Sequence, residues 1–206
     1  PELREAYAAF VCRLREALNA EGKPVVAALA PKTSAQQRGL LYEAHDYALL
    51  SKAANAVFLM TYEWGYVYGE PQAIAPLPQV RAVLDYALSV TAGENIFLGA
   101  PLYAYDWPLP YEKGRTRAET FSSQAAVARA RLVGAEIEFD ETAHSPCYHY
   151  FDKMRREHVV WFEDARSALA KFGLLTEYSL LGLGYWNFMR PFAAGFSLQN
   201  YLFSIP

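Results

Sequence analysis

The apolar positions of the chain change between two spacings, one typical of helices and one of buried strands. From Leu3 to Glu21 they recur every three or four residues, which predicts an amphipathic helix. The stretches 25–30 and 56–62 are short unbroken apolar runs, as in strands buried on both faces of a parallel sheet. A helical stripe at 80–88 and a strand at 96–100 follow. This order of helix and strand predicts repeated βα units.

The rhythm is interrupted between about residues 108 and 163. Residues 135–140 alternate strictly between apolar and polar, which predicts a half-exposed strand. Residues 148–151 and 159–162 fit antiparallel neighbours of that strand, and a helix is predicted at 122–132. The βα order then resumes with a helix at 164–172 stopped by Gly173, a strand at 180–186 and a helix near 196–203. We therefore expect an α/β chain with a small α+β insertion.

Composition excludes several classes of protein. The 206 residues are 53% hydrophobic, enough for one substantial core. The net charge of -3, with scattered Lys and Arg, predicts no nucleic-acid partner. No apolar run reaches the length of a membrane span. Cys12 and Cys147 do not indicate a disulfide framework. The sequence opens with Pro1-Glu2, without methionine or an apolar leader, so we expect its first residue to be a cut and not a natural N-terminus.

Aromatic residues recur where three of the predicted strands end. The chain has Tyr62-Glu63-Trp64 after one strand, Tyr103 to Trp107 after the next, and Tyr185-Trp186-Asn187 at the last. Ligands bind at the carboxyl ends of parallel strands, because the strand-to-helix loops meet there. Sugar rings pack on aromatic faces while carboxylates accept from their hydroxyls. The pattern predicts a ring-lined carbohydrate cleft.

At these residues the sequence resembles the family 18 glycoside hydrolases, and within that family the spore-cortex N-acetylglucosaminidases of spore-forming bacteria. The motifs that carry the resemblance are Leu59-Met60-Thr61-Tyr62-Glu63-Trp64-Gly65, Gly99-Ala100-Pro101-Leu102-Tyr103-Ala104-Tyr105-Asp106-Trp107 and Gly182-Leu183-Gly184-Tyr185-Trp186-Asn187. The resemblance implies a (β/α)8 TIM barrel, of which the chain holds strands five to eight, with an insertion after strand seven. The implied divisions are barrel units at 1–102, the insertion at 103–162, and the last helix-strand-helix at 163–206.

The resemblance also implies the roles of individual residues. Tyr62 matches the tyrosine that hydrogen-bonds the acetamido oxygen of the substrate, and Glu63 stands where most members have an aspartate, so these two are the expected catalytic residues. Met60 matches a pocket wall, and Trp186 the floor under the sugar at subsite -1. Three further residues are expected to bind substrate: Trp64, Tyr103, as stacking surface, and Asp106.

One part of the family pattern is absent. The motif Asp-x-x-Asp-x-Asp-x-Glu, whose glutamate protonates the leaving oxygen, does not occur in the sequence and by order is expected before Pro1. In this family the substrate's own acetamido oxygen attacks the anomeric carbon. The resemblance therefore implies retaining cleavage of β-1,4 bonds in N-acetylglucosamine-containing polymers, either peptidoglycan of the spore cortex or a chitin-type polymer. The expected place of action is the spore cortex, the cell wall or the extracellular space, and no metal or cofactor is expected.

Other readings of the same residues stay open. A noncatalytic carbohydrate-binding protein on this scaffold would have the same residues at its strand ends. The aromatic side chains at these strand ends would also fit an ordinary hydrophobic core. His144, Cys147 and His149 lie close enough in sequence to suggest a metal site. Asp106 before Trp-Pro also suits a turn. Four parallel strands leave two open edges, so self-association or a partner half is a further expectation.

Overall fold

The computed structural model describes residues 2–203, which form helices and strands in mixed α/β order. In chain order the elements are α1 (Arg4–Asn19), β1 (Val26–Leu29), α2 (Tyr47–Ala53), β2 (Ala56–Leu59), α3 (Leu77–Leu88), a 3-10 turn (Gly93–Asn95), β3 (Ile96–Pro101), β4 (Tyr103–Pro108), β5 (Glu119–Ser122), α4 (Ser123–Val133), β6 (Glu138–Asp140), β7 (Ser145–Phe151), β8 (Glu157–Trp161), α5 (Ala165–Glu177), β9 (Gly182–Trp186) and α6 (Ala193–Leu202).

The apolar runs form one four-stranded sheet in the order β1-β2-β3-β9. Strand β2 pairs in parallel with both β1 and β3. Leu29, Leu59 and Leu98 on these strands are completely buried, as expected for strands with covered faces. Strands β1 and β9 each have a neighbour on one side only within this sheet.

The predicted insertion is an antiparallel sheet in the order β5-β4-β8-β7-β6, with α4 packed on it. Ala126 and Ala130 of α4 lie in a buried cluster with Tyr148, Val160 and Phe162. The helix begins at Ser122, whose hydroxyl accepts from the Ala125 N–H, and ends at left-handed Gly134. The insertion therefore has its own core.

Several element boundaries differ from the sequence prediction. Helix α5 continues through Gly173 to Glu177, because a single glycine weakens a helix without ending it. The sequence pattern predicts a helix across residues 42–54, but helix α2 begins only at Tyr47, where the Asp46 carboxylate accepts from the N–H of Leu49 at 3.0 Å. Tyr103–Pro108, expected as the end of a strand, is a strand of the second sheet, so Asp106 lies in a strand and not in a turn.

The chain forms two compact units. One contains the chain up to Thr61 together with Gln79–Gly99 and Leu174–Gly184. The other contains Tyr62–Pro78, Ala100–Gly173 and the chain from Tyr185 onward. Of the predicted site residues, all except Met60 belong to this second unit. Among residues 2–203, no helix has both the length and the apolar character needed to cross a bilayer.

Candidate functional site

The segment that follows β2 is held by its own backbone and by a buried threonine. The Thr61 hydroxyl donates to the Gly99 carbonyl of β3 at 2.7 Å. Two residues later Glu63 has a φ of 66°, in the left-handed region that a side chain other than glycine seldom adopts. Such a conformation costs on the order of 1 kcal/mol and persists only where the surroundings fix it.

Those surroundings are found immediately after Glu63. The N–H of Trp64 donates to the Ile74 carbonyl at 3.1 Å, and the N–H of Gly65 donates to the Ala73 carbonyl at 3.0 Å. A Cβ on Gly65 would lie 2.1 Å from the Gln72 carbonyl oxygen, so only glycine fits. The returning loop thus fixes the direction in which Glu63 leaves the backbone.

Strand β4 supplies a row of aromatic rings to the same unit. Tyr103, Tyr105 and Trp107 share one face because side chains alternate along a strand, and successive ring centroids are 5.3 and 5.4 Å apart. The Tyr62 ring meets Tyr103 edge-on at 6.4 Å. The Tyr105 hydroxyl donates to Glu63 Oε1 at 3.1 Å, which joins the aromatic row to the exposed carboxylate.

The pKa values of the tyrosines in this cluster are raised above the ordinary value of a phenol. Burial, followed by the negative charge of Glu63, raises the pKa of Tyr62 to about 12. The same two causes raise the pKa of Tyr103 and of Tyr105, while the positive charge of Arg190 lowers that of Tyr105 somewhat. The phenols therefore stay neutral hydrogen-bond donors throughout the physiological range of pH.

Tyr103 does not fit the stacking role expected for it. The residue is only 3% exposed, and its ring lies between the Tyr62 and Tyr105 rings. Within residues 2–203 its hydroxyl oxygen has no hydrogen-bond partner, and neither has Trp107 Nε1. Buried polar atoms without partners are rare in folded proteins. Tyr103 is therefore a buried member of the aromatic row, and neither face of its ring is open to a sugar.

Asp106 also differs from its expected role as a substrate contact. Its side chain is 1% exposed and points to the other face of β4. Arg129 Nη1 lies 2.5 Å and the Tyr150 hydroxyl 2.6 Å from Oδ2, and His158 Nδ1 lies 2.6 Å from Oδ1. Both oxygens are occupied by protein groups, so we leave Asp106 out of the proposed substrate-binding set.

The remaining predicted residues are at least partly accessible. Trp186, the last residue of β9, is 55% exposed, and its carbonyl accepts from the Leu102 N–H at 2.8 Å. Trp64 and Met60 are half-buried. The exposed indole of Trp186 is the ring in this set most open to stacking against a sugar.

The alternative of a metal site at His144, Cys147 and His149 finds no support. Throughout the described part of the chain, no group of three or more His, Cys, Asp or Glu side chains is arranged to hold a metal ion. His149 Nδ1 lies 2.9 Å from the Glu157 carboxylate. Burial raises the pKa of the Cys147 thiol to about 11, which disfavours the thiolate that a metal needs.

Sequence reasoning missed Tyr105 as the partner of Glu63, although Tyr105 stands inside the motif that carries the resemblance. The alternation Tyr103, Tyr105, Trp107 is the signal that would have placed the three rings on one face. That signal was hidden because the segment was interpreted as the aromatic end of the preceding strand and not as a strand of its own. The positive charge of Arg190 lowers the pKa of Tyr105, and nothing in the sequence around Arg190 indicates this contact.

Tyr62 and Glu63 follow the parallel strand β2, an aromatic row lies beside them, and the tryptophan at the end of β9 is exposed. These features are typical of carbohydrate-cleaving (β/α) barrels. Residues 1–190 match the glycosyl hydrolases of family 18. The chain belongs to that family, which confirms the relationship and the TIM-barrel fold expected from the sequence.

Two relatives that the chain resembles over its whole length are named as cortex-lytic enzymes. The chain is 45% identical over 205 residues to the cortical fragment-lytic enzyme of Bacillus subtilis (strain 168), covering 100% of this chain and 48% of the relative. The crystal structure of the Bacillus cereus spore cortex-lytic enzyme SleL matches with a TM-score of 0.96 and 41% identity, covering 100% of this chain and 47% of that one.

A more distant structure shares the fold. The chitinase from Chromobacterium violaceum matches with a TM-score of 0.88 at 23% identity, over 99% of this chain and 63% of that one. The chain spans about half the length of the first two relatives. Its similarity to spore cortex-lytic enzymes is therefore established over part of their length.

Proposed function

We propose that this chain is the substrate-positioning part of a glycosidase that cleaves β-1,4 bonds beside N-acetylglucosamine, with retention of configuration. The family membership and the similarity to cortex-lytic enzymes support the reaction class. The observation that carries the assignment of roles is the hydrogen bond from Tyr105 to Glu63, beside Tyr62 and directly after β2. It holds an exposed carboxylate in a defined direction at the end of a barrel strand.

In the proposed reaction, the acetamido oxygen of the substrate attacks the anomeric carbon and forms a cyclic oxazolinium ion. The Tyr62 hydroxyl donates to the acetamido group and holds it in the attacking position. Glu63, oriented by Tyr105, accepts from the acetamido N–H and stabilises the positive charge that develops there. Trp186 supplies the ring under the sugar, and Trp64 forms part of the wall.

The proton for the leaving oxygen needs a separate acid. The Asp-x-x-Asp-x-Asp-x-Glu motif does not occur among the 206 residues. We propose that hydrolysis requires a glutamate contributed from outside them, and that the present chain positions the substrate without cleaving it. The names of the relatives favour the spore cortex as the place of action and its N-acetylglucosamine polymer as the substrate.

Hydrolysis of 4-methylumbelliferyl glycosides of N-acetylglucosamine and its β-1,4 oligomers tests the proposal. The 206-residue chain is compared with one extended upstream through the strand expected to carry the acid. We expect fluorophore release only from the extended chain, and its loss when that glutamate becomes glutamine. Release by the 206 residues alone would contradict the proposed division of roles.

The alternative expected from the sequence is a carbohydrate-binding protein without catalysis on the same scaffold. The same experiment separates the two. An extended chain that binds the oligomers but releases no fluorophore would support the binding protein and overturn the glycosidase.

A further inference from the structure

The loop that joins β1 to α2 is fastened at its two ends by hydrogen bonds from side chains. Ala30, the first residue after β1, is completely buried. Its N–H donates to His45 Nδ1 at 2.8 Å, and its carbonyl accepts from the Tyr47 hydroxyl at 2.6 Å. The Tyr47 oxygen also accepts from the Lys32 N–H at 2.9 Å. We call these four residues the latch of the loop.

The residues between the two ends of the loop fold on themselves. Gln37 Oε1 accepts from the Thr33 N–H at 2.8 Å, and Glu43 Oε1 accepts from the Gly39 N–H at 3.1 Å. The loop follows the carboxyl end of a parallel strand, the end at which barrels have their ligand-binding loops. The latch therefore sets the position of a loop at the end of the sheet where ligand contacts are expected.

The latch requires the neutral form of the His45 ring. A backbone N–H only donates, so the contact with Ala30 needs a lone pair on Nδ1 and puts the ring proton on Nε2. An imidazolium carries a proton on both nitrogens. Protonation would place two N–H groups against each other and leave the buried Ala30 N–H without its acceptor, which is costly in a protein interior.

The charges around His45 oppose its protonation. The Lys32 side chain is buried, and its Nζ donates to the His45 carbonyl at 3.2 Å. Burial, followed by the charge of Lys32, lowers the pKa of His45. The neighbouring acids have other partners, since Asp46 pairs with Arg4 of α1 at 3.5 Å and Glu43 accepts from the loop backbone. The latch thus contributes its full stability above about pH 6.5 and loses it as the pH falls through the lowered pKa.

The other titratable groups of the latch have their ordinary pKa values far above this range. Burial raises the pKa of Tyr47, and also that of Tyr86 of α3, whose ring lies 5.2 Å from the Tyr47 ring. Burial lowers the pKa of Lys32, and the charge of Asp46 raises it. His45 is therefore the group of the latch whose ordinary pKa lies between pH 5 and 8.

We propose that His45 is a pH-dependent switch, which holds the loop 33–44 at the end of β1 while its ring is neutral and releases the loop when the ring is protonated. A protonated ring cannot stay against the Ala30 N–H, and it adds a second positive charge beside Lys32, which is bonded to the same residue. Movement of His45 therefore loosens both ends of the loop together. The switch does not depend on the proposed reaction.

Hydrogen–deuterium exchange of the 206-residue chain tests the switch. The quantity measured is the protection factor of the Ala30 and loop amides at about pH 7.5 and about pH 5, which corrects for the intrinsic pH dependence of exchange. The variants are His45→Asn, whose Oδ1 accepts from the Ala30 N–H without titrating, and His45→Ala, which has no acceptor. His149→Asn is the matched control, because His149 is exposed and lies 2.9 Å from Glu157 in the insertion.

We expect the protection factors of the unmodified chain and of His149→Asn to fall about tenfold or more between the two pH values. His45→Asn should keep high protection at both values, and His45→Ala should have low protection at both. An unmodified chain whose protection does not fall would overturn the proposal. The same fall in His45→Asn would also overturn it, and would assign the pH dependence to Lys32 or to the acids beside it.

A nuclear magnetic resonance titration of the unmodified chain gives a second measurement, which holds even if a His45 variant fails to fold. The ring signals of His45 and the amide signal of Ala30 should change together, with one midpoint below the ordinary histidine value of about 6.5. Separate midpoints, or an Ala30 signal that does not respond when the ring is protonated, would contradict the switch.

Discussion

At the scale of the residue, Glu63 is held more firmly than a solvated acid on a loop. Its backbone is left-handed, the two residues after it are bonded to a returning loop, and a phenol from β4 donates to its carboxylate. A hydrogen bond to a charged group contributes about 1.5–3 kcal/mol. That bond fixes the carboxylate before substrate arrives, which is the condition for electrostatic stabilisation of a transition state.

Replacing Tyr105 with phenylalanine should therefore impair the reaction while leaving the fold intact. In the upstream-extended chain we expect kcat/KM to fall about tenfold or more, mainly through kcat, because the lost bond orients Glu63 in the transition state. The control is Tyr178→Phe, which removes a hydroxyl that donates to Asp85 at 2.9 Å in the other unit. Equal effects of the two changes would contradict the positioning role.

The sequence predicted a buried strand over 56–62, and the structure ends β2 at Leu59, with Tyr62 and Glu63 in the segment that follows it. Their position after a buried strand was predictable because an apolar run that stops at a carboxylate is visible in one dimension. Tyr105 could not be recognised in the same way, because its role depends on which residue of another element lies opposite. The occupied carboxylate of Asp106 was hidden for the same reason. Its partners, Arg129, Tyr150 and His158, come from three other elements.

At the scale of the element, the insertion is organised around Asp106. This one carboxylate joins β4 to α4, β7 and β8 through the three bonds described above. Strand β4 carries Tyr103 and Tyr105 on its opposite face, so the same network that stabilises the insertion also holds the aromatic row of the site. Removing one member of a buried charged network is costly because the others are left without a partner.

Asp106→Asn should lower the free energy of unfolding by about 3 kcal/mol, measured by urea denaturation. Glu177→Gln serves as the control, because its ion pair with Arg81 is exposed and should matter little. An Asp106→Asn variant of unchanged stability that binds N-acetylglucosamine oligomers poorly would contradict the structural role and restore the substrate contact.

The helices and buried strands were predictable because burial imposes a period on the sequence. Strand β4 was missed because both of its faces are buried in Tyr103 to Trp107, so the usual contrast between polar and apolar positions is absent. Strand β5 has only four residues and no apolar run. Gly173 lies within α5, where nothing in the local sequence distinguishes a tolerated glycine from a terminating one.

At the scale of the whole molecule, the four-stranded sheet has two edges that no other strand of residues 2–203 pairs with. Val26 on the edge strand β1 is 46% exposed, and Phe10 and Leu3 at α1 are 60% and 74% exposed. Open edges and exposed apolar side chains favour association with another chain. The expected partner is either a second copy or a segment that continues the sheet.

We expect light scattering after size exclusion to give a mass above that of the 23.2 kDa monomer. Val26→Lys, which places a charge on the edge strand, should lower that mass. A well-folded monomer at all concentrations would contradict the expectation.

The central claim, that Tyr62 and Glu63 hold the acetamido group for attack, is tested most directly by a stable mimic of the oxazolinium ion. The measurement is the affinity of the upstream-extended chain for the thiazoline of the β-1,4 disaccharide, with the parent disaccharide as reference. Tyr62→Phe should weaken thiazoline binding about tenfold or more and parent binding much less, because a group that serves the transition state binds its analogue preferentially. Equal weakening of both ligands, or none, would contradict the claim.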